Sequence, residues 1–245
     1  MDELDTLSPA MSFQTIIMIL LAAIAGALAA TVILPTWLPG MVNSLLGTEP
    51  KAYWYLARSS AFVAYGLLWL AMIFGLLMTS KAARIWPGGP IAFDLHQHAS
   101  LLGLAFALFH ALVLLGDHYM AYTLAQLLIP FNGGSYRPLW VAFGQMSLYV
   151  MALVGLSFYV RKEIGRNVWR LIHFLSFVLF VGSLAHGIFS GTDTSQWWSN
   201  LIYWGTGGSV LFLTVFRIMS TVFAAPKSAT PVRAKASVPI SSEGV

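Results

Sequence analysis

The chain has 245 residues, of which 58% are hydrophobic and only 9% charged, far too little polar surface to cover a soluble globule of that size. Its formal net charge of +4 comes from Lys and Arg scattered between apolar runs, so the excess marks membrane topology and not a nucleic-acid surface. The absence of cysteine excludes disulfides, thiolate-bound Fe–S clusters, zinc-thiolate sites and thioether-attached haem, so any metal chemistry rests on histidine, carboxylate or methionine.

Residues 1–12, "MDELDTLSPAMS", are acidic and lead into a long apolar segment. A secretory signal would start with basic residues and carry a shorter apolar core, so the first helix is expected to be retained. Crossing a hydrocarbon core of roughly 30 Å takes about 20 helical residues. Six segments reach that length, at about 13–38, 53–78, 95–116, 139–160, 169–190 and 198–222. Pro35 and Pro39 follow the first, "WPGGP" (86–90) follows the second, and "PFNGGSYRP" (130–138) precedes the fourth, where Pro138 suits a first helical turn. Trp37, Tyr53, Trp54, Trp140, Tyr159, Trp169, Trp197 and Trp198 gather at segment ends, as amphipathic rings do at the headgroup level.

An even number of spans puts both termini on one side. That side holds ten basic residues, Lys81, Arg84, Arg161, Lys162, Arg166, Arg170, Arg217, Lys227, Arg233 and Lys235, against Lys51, Arg58 and Arg137 on the other. The excess makes the termini side cytoplasmic. The tail, 223–245, is polar, contains Pro and Ser and lacks an apolar period, which predicts a disordered cytoplasmic segment. The fold class expected is therefore an all-α membrane protein, a six-transmembrane-helix bundle over 13–222, multi-pass in a cell membrane, with the bacterial inner membrane the expected one.

Five of the six histidines lie in two spans, His96, His98 and His110 in the third and His173 and His186 in the fifth; His118 lies at the outer end of the third. Ionisable groups at membrane depth are expensive and face the bundle interior, where they find partners. Both spans run in the same direction, from cytoplasm outward. The steps from 96 to 110 and from 173 to 186 each climb about 20 Å, so two parallel helices offer facing histidines at two matched depths. A flat macrocycle between two helices needs one ligand from each side, and neutral imidazole is a common axial ligand of haem iron. Two pairs predict two b-type haems.

The face arithmetic is uneven. At about 100° per residue, fourteen steps fall about 40° short of whole turns, but thirteen fall about 140° short. The fifth helix is therefore expected to bend or rewind, with Gly182 beside Ser183 as the place. His98, twelve residues from His110, reads as a neighbour or supporting donor. His118, in "GDHY", reads as an interfacial residue, or else as one that touches a haem carboxylate or an electron acceptor. Taken singly, each buried histidine could instead bridge helices by a hydrogen bond.

The stretches "ARSSAFVAYGLLWLAMIFGLLMTS" (57–80), "LHQHASLLGLAFALFHALVLL" (95–115) and "RKEIGRNVWRLIHFLSFVLFVGSLAHG" (161–187) resemble the ferric reductase-like transmembrane domain superfamily. That superfamily includes NADPH oxidases, ferric reductases and the haem-binding membrane subunit of bacterial sulfoxide reductases. The resemblance covers the second to fifth spans and implies haem ligation by His96 with His173 and by His110 with His186. It also implies a basic residue near haem propionates, a part that Arg58 could take; the other reading is an interfacial Arg whose head reaches water. The oxidases fuse a flavin and nicotinamide domain to this core, whereas this chain has no GxGxxG phosphate loop. The sulfoxide reductase subunit also lacks that domain, but often carries a basic residue where His96 stands.

The expectation is a transmembrane cytochrome b, the membrane electron-transfer component of an oxidoreductase. A separate cytoplasmic flavin reductase or membrane quinol would be its donor, and an extracytoplasmic molecule its acceptor, with no nucleic acid involved. The loops "GDHYMAYTLAQLLIPFNGGSYRP" and "FSGTDTSQWW" would form the acceptor face. The inner "RKEIGR" would dock an acidic donor or serve only to set topology. The rivals are a transporter or proton relay built on the same histidines, and a haem-bearing anchor subunit.

Overall fold

A computed structural model describes residues 9–37, 52–80, 82–117, 120–132, 134 and 136–223. His118 and the tail from 224 onward lie outside the described residues, as do residues 1–8. Six helices are long and apolar enough to cross a membrane, and among the described residues there is no strand. The chain is thus built as a multi-pass membrane protein, the form that satisfies every backbone polar group inside lipid.

Helix α1 spans Phe13–Leu28, opened by Ser12, whose hydroxyl accepts the Thr15 N–H at 3.1 Å. It continues through a π-helical turn, Ala29–Ile33, and a last turn, Leu34–Trp37, an irregularity with no clear mark in the sequence. A π turn shifts the hydrogen-bond register, and the Tyr53 hydroxyl donates to the Ala30 carbonyl at 2.7 Å. Helix α2 is Ala52–Thr79 and α3 is Gly89–Val113. The latter starts six residues before the expected 95, because Pro90 fits its first turn and does not break it. A short helix, Leu124–Leu128, is opened by a capping box between Thr123 and Gln126.

Helix α4 is Pro138–Ser157, with the expected Pro at its start, and ends three residues short of the expected 160. Gly165, at φ 80°, turns the chain from a four-residue helical turn, Arg161–Ile164, into α5, Arg166–Ser190. Helix α6 is Trp197–Val222.

The helices pack as two intimate pairs, α2 with α3 and α4 with α5, with α1 laid on α3 and α6 on α2. Without a hydrophobic drive in lipid, close approach and interhelical hydrogen bonds hold such pairs. Gly103 gives one approach, since a Cβ there would meet Met151 Cε at 2.9 Å and Leu67 Cβ at 3.3 Å. Helix α6 is tied to α2 by Tyr65 to Thr206 at 2.6 Å between hydroxyls and by the Trp69 indole donating to Ser209 at 2.9 Å. Helices α3 and α5, in contrast, have almost no close backbone approach to one another. Their histidine side chains nevertheless meet.

The bend or rewind expected at Gly182 is corrected in one respect: α-helical structure runs unbroken through it. Gly182 serves packing instead, since a Cβ there would fall 2.7 Å from the Ser147 hydroxyl of α4.

Candidate functional site: two histidine pairs between two helices

One end of the bundle carries residues 10 and 11, where Gln97 accepts the Ala10 N–H and the Tyr159 hydroxyl donates to the Met11 carbonyl. This end is called proximal. His96 on α3 faces His173 on α5 near it, with ring centres 6.0 Å apart and planes inclined by 62°. Further along the same helices His110 faces His186, with ring centres 6.3 Å apart and planes inclined by 67°. The four histidines singled out in the sequence therefore meet in the two expected pairs, separated by about 20 Å of helix.

Three of the four rings are pinned by backbone carbonyls. His96 Nδ1 lies 2.7 Å from the Ala71 oxygen and His110 Nδ1 2.8 Å from the Ala57 oxygen, both on α2. His186 Nδ1 lies 2.8 Å from the Trp140 oxygen on α4. A carbonyl only accepts, so Nδ1 carries the proton in each case and Nε2 is left with its lone pair. That is the tautomer a metal-binding imidazole takes when a backbone partner fixes its orientation. Ala57 and Ala71 are fourteen residues apart, the same interval as His96 and His110, so two adjacent helices carry a matched pair of acceptors and donors.

Space for the rings comes from glycine. A Cβ on Gly144 would lie 2.6 to 2.8 Å from three atoms of the His186 ring, and one on Gly75 would sit 3.4 Å from the His96 ring. His173 has no such carbonyl; Trp169, one turn earlier, stacks on it with centroids 5.2 Å apart and planes 29° from parallel. These supports explain how thirteen residues of unbroken helix serve one partner. His186 leans on α4 while His173 stacks on Trp169 of its own preceding turn, and each ring meets a histidine of α3.

Between the two levels the interior is apolar, filled by Leu104, Met151, Leu179 and Phe180 together with Leu68 and Met72. His98 stands apart from both pairs and bonds to the Asp94 carbonyl of its own helix at 2.8 Å. Arg58 follows Ala57 at the distal level. It is ion-paired with Asp193, which lies in the connection between α5 and α6, and its guanidinium lies 4.1 Å from the Trp54 ring centre. A groove of about 410 Å³ opens at the same end, lined by Arg137, Pro138, Leu139, Trp140 and Phe189.

The donor set decides what the pairs can hold. Among the described residues no three His, Asp or Glu side chains come together to hold a metal ion unaided. The imidazoles come in twos, which suits a metal whose other positions are already filled by a macrocycle. Two imidazoles on opposite sides of one metal, with metal–nitrogen bonds of about 2 Å, have ring centres roughly 6 Å apart. The spacings of 6.0 and 6.3 Å fit that requirement.

The carbonyl anchors, the clearing glycines and the Trp169 stack were not singled out from the sequence. Only the shared fourteen-residue interval of Ala57–Ala71 and His96–His110 was there to be read. No family model matches this chain, and no curated protein and no solved structure matches it.

Proposed function

We propose that this chain is a transmembrane b-type cytochrome whose four histidines hold two haems, one per pair, and that it carries electrons between the two membrane faces. His96 with His173 would hold the proximal haem and His110 with His186 the distal one. The haems, when bound, supply reversible one-electron chemistry within a barrier that offers none.

The observation that carries this reading is the geometry of the pairs: four imidazoles in two pairs with ring centres 6.0 and 6.3 Å apart, three of the four fixed with Nε2 free of its proton. The chain's own residues do the rest. Carbonyls of Ala57, Ala71 and Trp140 hold the Nδ1 protons and raise the basicity of the opposite nitrogen. With two histidines for each haem, the site would relay electrons in preference to activating a ligand. The apolar layer of Leu104, Met151, Leu179 and Phe180 excludes water between the levels and weakens the rival reading, a proton relay, which needs polar groups to bridge about 20 Å.

The proximal end, with its basic residues, faces the cytoplasm in this reading and meets a flavin reductase, or a quinol in the membrane, as donor. The distal end meets an extracytoplasmic acceptor. The test is a sealed vesicle containing the haem-loaded protein, with ferricyanide enclosed and a membrane-impermeant reductant outside. Reduction of the enclosed ferricyanide, abolished by His110→Ala, is the expected result. Haem binding without any transfer would instead support an anchor subunit.

A further inference from the structure

Two polar side chains of α4 stand at bilayer depth and take no part in the histidine pairs. Helix α4 starts at Pro138 and has 20 residues, so it is about 30 Å long, the thickness of the hydrocarbon layer. Gln145 and Tyr149 lie about 10 and 16 Å along it from the distal end. Polar groups at that depth need partners within the protein. Both find them in the connection between α3 and α4. The Gln145 amide donates to the Gln126 carbonyl at 2.6 Å and to the Leu127 carbonyl at 2.9 Å, and the Tyr149 hydroxyl donates to the Leu128 carbonyl. Side chains of a helix lean towards its N-terminus, so the meeting point is nearer 10 Å than 16 Å, close to the level of Gly144.

Those three carbonyls end the short helix Leu124–Leu128, where a helix in water would leave them to solvent. The backbone around them is matched within the chain as well. The Thr123 carbonyl accepts the Leu127 N–H at 3.1 Å, that of Ala125 accepts the Ile129 N–H at 2.9 Å, and that of Ile129 accepts the Asn132 N–H at 3.2 Å. Lipid demands such pairing of a backbone, whereas water does not. The side chains agree with this. Leu127 is buried, while Leu124, Leu128, Ile129 and Phe131 point outward, each at least 40% exposed. Residues 119–136 contain no Asp, Glu, Lys, Arg or His.

We propose that residues 124–132 form a re-entrant segment that dips from the distal end into the bilayer and is held there by Gln145 and Tyr149. Its outward face, Leu124, Leu128, Ile129 and Phe131, lies against lipid acyl chains. Phe131, at φ 64°, stands where the chain turns back towards Pro138. The inference does not depend on haem. For electron transfer it has one consequence: the middle of the α3–α4 connection is out of reach of a water-soluble acceptor. Such an acceptor would meet the α5–α6 connection and the groove beside Arg137 instead.

The chain has no cysteine, so a nitroxide can be attached at one introduced position without background. Leu128→Cys and Ile129→Cys carry it on the segment, and Thr192→Cys carries it on the exposed α5–α6 connection as a control. The full-length protein in phosphatidylcholine vesicles is exposed to oxygen, which concentrates in the bilayer interior, and to a water-soluble nickel chelate present on both sides. The labels at 128 and 129 are expected to relax mainly with oxygen and to read about 10 Å inside the hydrocarbon boundary, while the label at 192 relaxes mainly with nickel. Labels at 128 and 129 as open to nickel as the one at 192 overturn the proposal. With Gln145→Leu and Tyr149→Phe combined, the label at 128 should move outward and gain access to nickel, because the freed carbonyls then need water. An unchanged depth in that variant overturns the anchoring by Gln145 and Tyr149. A protein that takes up no haem would sink the cytochrome reading and leave these readouts as they are.

Discussion

Gly144 of α4 lies so close to His186 of α5 that a single methyl group there would sit 2.6 Å from the ring's Nδ1. The backbone around Gly144 also brings Trp140 to the position where its carbonyl holds that same nitrogen, at 2.8 Å. Glycine is thus part of the support of the His186 ring. Gly144→Ala should push the His186 ring off its carbonyl and remove the distal haem while sparing the proximal one, at a cost of about 1–3 kcal/mol in stability from overpacking. Haem content per chain and thermal unfolding in detergent measure both. Gly75→Ala, where the ring contact would be 3.4 Å, should retain both haems.

The pairing itself makes a sharper prediction. His96→Ala and His173→Ala should abolish the same spectroscopic centre, and His110→Ala and His186→Ala the other. Within a pair the second substitution should add almost nothing to the first, since both partners serve one bond set. Haem titration of the four single and two double variants checks this. Loss of both centres in equal measure from any one single variant would contradict the assignment of ligands.

Much of this was legible from apolar length and from histidine spacing. The six spans follow from hydrophobic runs, and the two matched depths follow from helical rise alone. Their ends were less legible. Pro90 looked like a break and is a helix start, because proline is excluded from a helix interior but welcome in its first turn. The rewinding expected near Gly182 came from treating each side chain as a spoke of fixed direction. His173 and His186 instead reach α3 by leaning on different neighbours, Trp169 and Gly144. Such leaning depends on which helices adjoin α5, and a single sequence does not reveal that. Arg58 was read as a propionate contact or a water-seeking side chain; its pairing with Asp193 depends on a contact between residues 135 positions apart.

That ion pair ties the connection between α5 and α6 to α2. Asp193→Asn or Arg58→Gln alone should lower stability by about 1–3 kcal/mol, because each leaves a partly buried charge unmatched. The double variant should be less damaged than the sum of the two. Thermal unfolding of all three in one detergent is the measurement, and strictly additive losses would show that the two charges do not interact.

Tyr65 and Thr206 form another long-range tie, 2.6 Å between hydroxyl oxygens, and Thr206 also donates to the Ile202 carbonyl at 2.7 Å. Because that second bond uses the threonine proton, Tyr65 is the donor across the helices. Tyr65→Phe should therefore cost about 0.6–1.7 kcal/mol, the range found for interhelical hydrogen bonds in membranes, and leave both haems bound. Unfolding midpoints together with haem content test this directly.

The central claim, two haems held by two histidine pairs, is tested most directly by the reduced-minus-oxidised spectrum of the purified full-length protein after haem has been supplied, with haem quantified per chain. Two b-type haems per chain are expected, falling to one in His186→Ala. Absence of a b-type signal, or a signal that survives replacement of all of His96, His110, His173 and His186, would contradict it.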